Sequence, residues 1–361
     1  MKKRKLRING HSHLLPYPEE IPQFMKDKGI FWVDKDRKFM LQKDWSRPVT
    51  DSSFFLDEKL EWMERFKIDH AVVLNLSQLY GNGLRVEEMK QALRFQNDFN
   101  ARIQQENPSK FTCGFVVHPG FVQGACWEIE RCVEQLGMRL LCLPTHYMDT
   151  IGTWRCIFDE ENEPIFELAS KYNLAVEIHP YDGEKFIKLE NTSWRFHLIW
   201  MLAQCADAYN FLTLNGYQDK YPGMRVCFAH GGQLAQINLG RRIQGFDGRP
   251  DLFEGKTHPR KAVGHKNIFF DTLVHDTGGL QLLIKNQGSK QVLMGLDDPY
   301  PLGEMESEIQ SSYPGKILDL AIEEGIINET ERDEIWDDNV LQWIFGDDEK
   351  GKQELVKKIL S

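Results

Sequence analysis

Residues suited to metal chemistry stand at the ends of short apolar runs that lie far apart in this sequence. "LRINGHSH" ends in His11 and His13, "LAVEIHP" carries His179, "RVCFAHGG" carries His230, and "QVLMGLDDP" carries Asp297 and Asp298. Side chains at i and i+2 of a strand project to the same side, so His11 and His13 can offer two imidazoles to one point. Three or four imidazoles with one carboxylate suit a borderline divalent cation. Zinc comes first, with manganese or a related ion as the alternative, and a position stays open for water or substrate. Neighbouring strand residues point to opposite sides, so only one of Asp297 and Asp298 can face the ion. One histidine is then left over as an acid or base.

An isolated histidine is ordinarily a surface residue or a satisfied core residue. His70, His118, His146, His197, His258, His265 and His275 are read that way, although His118 and His146 also end apolar runs and are expected just outside the ligand shell. The glycine pair after His230 lacks the spacing of a nucleotide loop and reads as a tight turn.

The elements that must position these residues recur along the chain. Eight runs rich in β-branched and aromatic residues ("LRINGHSH", "HAVVLNLS", "KFTCGFVVHP", "MRLLCLPT", "LAVEIHP", "RVCFAHGG", "NIFFDTLV", "QVLMGLDDP") are nearly continuous in apolar character. Parallel strands covered on both faces have that character. The spacers are long enough for helices, and two show helical period: "LDEKLEWMERF", with Leu56, Leu60, Met63 and Phe66 on one face, and "ACWEIERCVEQLG", which ends in a glycine stop. Eight alternations of strand and helix predict an α/β fold, a closed (β/α)8 TIM barrel. Its strands deliver functional side chains at their C-terminal ends.

A simple barrel needs roughly 250 residues, and two segments supply the excess. Residues 14–50, with Pro16, Pro18, Pro22 and Pro48 around "IFWVDKDRKFML", read as a small β insertion or lid after the first strand. Residues 303–361 read as a helical tail, in which Ile335, Val340, Leu341 and Ile344 of "DEIWDDNVLQWIF" form an apolar stripe. No composition break divides 1–361 into two domains.

The chain has 361 residues, 41% hydrophobic, and a formal net charge of -10. Nucleic acid and anionic membrane surfaces are not expected as partners, because no long basic run offsets that charge. A small carboxylate substrate must therefore be held by a few placed cations. "MKKRKLRING" has a basic flank without the apolar stretch of a signal peptide, and no run reaches the ~18 apolar residues of a membrane span, which points to the cytoplasm. Seven cysteines without a CxxC pair argue against a disulfide framework and against a thiolate zinc site.

With these residues in hand, the chain resembles the amidohydrolase superfamily, and within it the decarboxylase branch typified by aminocarboxymuconate-semialdehyde decarboxylase. The resemblance rests on "HSHLLP", "KDWSRPV", "VCFAHGG", "NLGR" and "MGLDDPYPLGE", spanning roughly residues 6–304. It implies that His11, His13, His179 and Asp297 are metal ligands and that His230 is the catalytic histidine beside the metal. It also implies that Arg47 binds a substrate carboxylate, that Lys43 lies nearby, and that Arg241 reaches across a homodimer interface. Trp194 and Trp200 fall where the family places an aromatic residue over the substrate. Two positions depart from the pattern: Asn9 stands where Asp is common, and Asp298 where Tyr or Trp is usual.

The resulting expectation is a metal-dependent, nonoxidative decarboxylase of a small unsaturated or aromatic acid, with 2-amino-3-carboxymuconate 6-semialdehyde as a specific candidate. Hydrolysis of a lactone, ester or amide on the same site is the alternative. The run "LCLPTH" lacks the lysine that a binuclear hydrolase of this superfamily would place there.

Overall fold

The computed structural model describes residues 5–43, 45–180 and 192–361. The eight apolar runs form one eight-stranded sheet whose strands neighbour one another in chain order. They are β1 (Ile8–His13), β2 (His70–Leu74), β3 (Phe111–Val116), β4 (Leu140–Pro144), β5 (Ala175–His179), β6 (Arg225–Phe228), β7 (Ile268–Asp271) and β8 (Val292–Leu293). All strand pairs are parallel, and every residue in them is buried, which explains the unbroken apolar runs.

The last strand meets the first through the Gly10 N–H, which donates to the Met294 carbonyl (2.7 Å), and the Asp297 N–H, which donates to the His11 carbonyl (2.8 Å). The fold is therefore a (β/α)8 barrel. A Cβ on Gly10 would lie 2.6 Å from Leu293 Cδ1 and 2.8 Å from the Met294 oxygen, so this seam closes only around a glycine.

Helices α1 (Leu56–Arg65), α2 (Val86–Glu106), α3 (Val122–Glu134), α4 (Glu163–Lys171), α5 (Met201–Leu214), α6 (Leu239–Gly248) and α7 (Thr277–Gln287) fill the spacers. The residues of α1 do not bury as their period predicts. Met63 is buried, but Leu56, Leu60 and Phe66 are only partly covered, while Lys59 and Trp62 face inward. Within 14–50, Trp32–Val33, Phe39–Gln42 and Trp45–Pro48 form a three-stranded antiparallel sheet. Met25, Phe31, Met40 and Phe54 belong to its small core, which also takes in Tyr300 from the segment after β8.

The tail comprises α8 (Lys316–Glu323), α9 (Glu329–Trp336), α10 (Asp338–Phe345) and α11 (Glu349–Leu360). The stretch "DEIWDDNVLQWIF" breaks at Asp337, whose carboxylate accepts the Leu6 N–H (3.1 Å) instead of sitting in a continuous helix. Arg225, at the start of β6, donates to the Trp343 and Ile344 carbonyls (2.6 and 3.1 Å), and the Trp343 indole donates back to the Arg225 carbonyl (3.2 Å). These bonds pin α10 to the N-terminal end of the barrel and leave the C-terminal end for chemistry. Among the described residues no helix is long and apolar enough to cross a membrane.

His70, fully buried at the start of β2, has its ring nitrogens bonded to the Ser109 carbonyl and the Thr112 hydroxyl. Burial pushes its pKa down to about 4, against an ordinary 6.5. A depressed histidine stabilises the fold fully above the unfolded pKa, and that stability is lost as pH falls towards the folded one. Urea unfolding of wild type and His70→Gln should therefore diverge: wild type loses about 3 kcal/mol more than the variant between pH 7 and pH 4. Equal losses would show that this site does not bury a neutral imidazole.

Candidate metal centre

The C-terminal ends of β1 and β5 and the segment after β8 bring His11, His13, His179 and Asp297 together, with one ligand atom from each lying within 4.8 Å of all the others. Each imidazole is oriented through Nδ1. His11 bonds the Asp271 carboxylate (2.8 Å), His13 the Leu74 carbonyl (3.2 Å) and His179 the Pro180 carbonyl (2.8 Å). These partners only accept, so Nδ1 carries a proton in all three rings and Nε2 is the atom free to ligate. The Nε2 atoms of His11 and His13 lie 3.2 Å apart, and Asp297 Oδ1 lies 3.5 and 3.1 Å from them. His179 Nε2 is buried without a hydrogen-bond partner among the described residues.

The electrostatics favour positive charge at this point. Burial disfavours the His11 imidazolium, but Asp271 and Asp297 outweigh it and lift the pKa to about 9. His13 and His179 are pushed down, chiefly by burial, and Asp297 stays well below the usual carboxylate range despite burial because His13, His11 and His230 surround it. A proton on His11 would answer part of this demand. A divalent cation answers all of it and satisfies His179 as well, so the residues fit a metal ion of the imidazole–carboxylate class.

Asp271, the last residue of β7, organises the floor. One oxygen accepts from His11 and from the His230 N–H (3.0 Å), and the other accepts from the Gly231 and Leu273 N–H groups (2.7 and 3.1 Å). His230 thereby stands beside the ligands without joining them, its Nε2 3.9 Å from Asp297 Oδ2. Burial pushes its pKa to about 4, so the ring is neutral. His230 and Asp297 both have left-handed backbones (φ 58° and 50°), rare outside glycine and often found where function demands a direction. Gly231 and Gly232 continue that turn (φ 60° and 52°), consistent with its reading as a tight turn.

A cavity of about 300 Å³ opens above the ligands. Leu76, Met201, Leu202 and Leu273 supply apolar wall, and Arg47 stands at its edge with its guanidinium 4.2 Å over the Tyr300 ring. Among the described residues no carboxylate pairs with Arg47, leaving its donors for an anion.

The family model for amidohydrolases matches residues 10–327. This chain belongs to the amidohydrolase family. Among curated relatives of this amidohydrolase, the 2-amino-3-carboxymuconate-6-semialdehyde decarboxylase of Dictyostelium discoideum is 28% identical, over 96% of this chain and 94% of the relative. The enzyme of that name from Caenorhabditis elegans is 32% identical, over 83% and 87%. Among solved structures, 5-carboxyvanillate decarboxylase from Sphingomonas paucimobilis superposes with a TM-score of 0.72 at 18% identity, covering 94% of this chain and 99% of that one. A dihydroxybenzoic acid decarboxylase from Polaromonas, solved with manganese and 2-nitroresorcinol bound, has a TM-score of 0.69 at 17% identity, covering 94% and 97%.

Other expected site residues of the amidohydrolase fall in different places. Lys43 is exposed on a turn and does not line the cavity. Trp194 and Trp200 are half-buried and do not line it either. Between them His197 and Leu198 do, on a π-helical turn (Phe196–Trp200) of the kind often found at functional sites. Trp194 packs against His197, with ring centroids 5.0 Å apart. Burial and then Arg47 push the His197 pKa down to about 4. Arg241 is exposed on α6, outside the cavity of its own chain.

The expectation that His118 and His146 support the ligands is corrected. His118 bonds Asn82 (3.2 Å), His146 bonds Asp207 (2.9 Å), and Asp271 takes the supporting place. The one hint of that role in the sequence is that "NIFFD", like the other site-bearing runs, ends in a ligand-type residue. Asp298 turns away from the cavity, and Asn9 is its partner rather than a ligand (Nδ2 to Oδ1, 2.6 Å).

Asp271→Asn should lower divalent-metal affinity about 10- to 100-fold, the usual effect of removing a carboxylate behind a ligating histidine. Chelator competition measures this, and an unchanged affinity in the folded variant would remove Asp271 from the metal centre.

Proposed function

We propose that this amidohydrolase is a metal-dependent, nonoxidative decarboxylase of a small unsaturated or aromatic carboxylic acid, with 2-amino-3-carboxymuconate 6-semialdehyde the first candidate. The observation that carries the reading is the Arg47 guanidinium, which no carboxylate among the described residues pairs with, facing the same cavity as a neutral His230 and four converging ligand atoms. The names of the two curated relatives support it. So does β4, Leu140–Pro144, which contributes no lysine for a second metal.

His11, His13, His179 and Asp297 would hold the ion, zinc or manganese. When bound, it supplies a Lewis acid that polarises a substrate oxygen. Arg47 grips a substrate carboxylate through its planar fork. The leucine and methionine wall keeps water from the carboxylate that leaves as CO2, and the electron pair of the broken C–C bond passes into the conjugated system. His230, neutral at physiological pH, takes a proton at Nε2 from a solvent water, whose O–H bond breaks to leave hydroxide that returns to solvent, and delivers that proton to the product carbon.

The segment 14–50 acts as a lid in this scheme, since it carries Arg47, and the whole chain works as one domain. We further propose a homodimer in which Arg241 serves the partner's cavity. Arg241 is exposed, and exposed Ile237 and Leu252 border its helix in the sequence. Seven unpaired cysteines are in keeping with a cytoplasmic location.

His230→Ala should lose about 10²- to 10⁴-fold in kcat while retaining its metal, and Arg47→Ala should chiefly raise KM. The assay is CO2 release across a panel of muconate-type and aromatic acids, with chelator as control. Release of a new acid without CO2 would replace decarboxylation by hydrolysis. For the dimer, mixing inactive His230→Ala and Arg241→Ala protomers should restore activity. A fully active monomer would exclude that role for Arg241.

A further inference from the structure

Lys59 belongs to α1, a helix on the outside of the barrel, yet its side chain is fully buried at 0% exposure. An ammonium is buried only where it is paired and hydrogen-bonded. Lys59 Nζ forms an ion pair with the Asp298 carboxylate and donates to the His13 carbonyl (3.3 Å). Asp298 in turn accepts from Asn9 Nδ2 (2.6 Å) and the Ser12 hydroxyl (3.3 Å), and its own carbonyl accepts the His13 N–H (2.9 Å). The oxygen of the Asn9 amide takes the His11 and Leu296 N–H groups (both 3.1 Å).

Every contact in this network falls on a residue that is a ligand or adjoins one. On one side are His11 and His13, on the other Leu296 and Asp298, which flank Asp297. Lys59, Asn9, Ser12 and Asp298 do not line the cavity. Asp297 has a left-handed backbone, so its carboxylate direction depends on what anchors the chain beside it. The Asp298 carboxylate next to it is held by Asn9, Ser12 and Lys59, outside the cavity. The amide at position 9 also matches the carboxylate at 298: a carboxylate at both would remove the donor to Asp298 Oδ1 and place two like charges in contact.

We propose that Lys59, Asp298 and Asn9 are positioning residues of the metal centre, a buried ion pair with an amide partner that holds Asp297 in register with His11 and His13. They act through those ligands and touch neither metal nor substrate. The inference rests on the metal-binding reading of the four ligands, and its test separates the two.

Wild type, Lys59→Met, Asn9→Asp and the exchange variant Asn9→Asp/Asp298→Asn are titrated with Mn2+, followed by electron paramagnetic resonance, and each chelator-treated protein is melted. Lys59→Met and Asn9→Asp should each weaken Mn2+ binding about 10- to 100-fold and alter the spectrum of the bound ion. The exchange variant, which restores a donor facing an acceptor between positions 9 and 298 but leaves Lys59 bonded to an amide, should bind Mn2+ measurably more tightly than Asn9→Asp without reaching wild type. If wild type takes up no Mn2+, the metal reading itself fails. If wild type binds and the folded single variants bind equally well, the positioning role is overturned. Should Lys59→Met fail to fold, the Asn9→Asp pair decides: loss without recovery in the exchange variant overturns the proposed complementarity.

Discussion

The barrel closes on backbone hydrogen bonds between its first and last strands, and three of the four ligand residues belong to the two segments joined there. His11 and His13 lie on β1, and Asp297 lies four residues past the end of β8. The same carbonyl, that of His11, accepts the Asp297 N–H, so closing the sheet and bringing the carboxylate to the imidazoles are one event. The seam is tight on both sides. Gly10 leaves no room for a side chain, and a Cβ on Gly295 would lie 2.7 Å from that of Asp271 and 2.9 Å from that of His11. Ligand spacing is thereby inherited from parallel strand geometry, with His179 supplied from across the barrel by β5.

Charge is arranged in layers around this seam. In an acidic protein, Asp271 and Asp297 stay ionised because imidazoles and backbone N–H groups surround them. Glu177, buried on β5 on the same face as His179, is pushed well above the ordinary carboxylic range by burial and then by Asp271 and Asp297, which disfavours its ionised form. The floor therefore presents a limited negative charge suited to one divalent cation, and the mouth presents Arg47. A cation at the floor and another at the edge, with apolar wall between them, complement a flat conjugated acid bearing a carboxylate. The third cation, Lys59, is held outside the cavity and neutralises Asp298, which would otherwise add a second carboxylate beside the ion.

Much of this was legible in the sequence. The eight runs became the eight strands, because a parallel strand buried on both faces has to be apolar along its length. Their terminal histidines and Asp297 converged because barrel strands run the same way and end at one rim. Which side chains of the stretch around Trp194 and Trp200 line the cavity was not legible: both tryptophans looked suitable by type, but a π-helical turn presents His197 and Leu198 to it. Lys43 sits close to Arg47 in sequence, yet the turn at Lys43 points it to solvent while the following strand carries Arg47 to the cavity. Helix α1 looked like a simple amphipathic helix, and its stripe could not reveal that Lys59 faces inward, since the compensating carboxylate lies 239 residues away.

The sequence by itself determined the strand count, the chemistry at the strand ends and that only one of Asp297 and Asp298 can face the cavity, because strand alternation and barrel polarity are local rules. Only the tertiary structure decided which groups stand behind the ligands. Asp271, Lys59 and Asn9 hold the site through contacts between distant segments, and whether a buried charge is tolerated depends on the partner that folding brings to it.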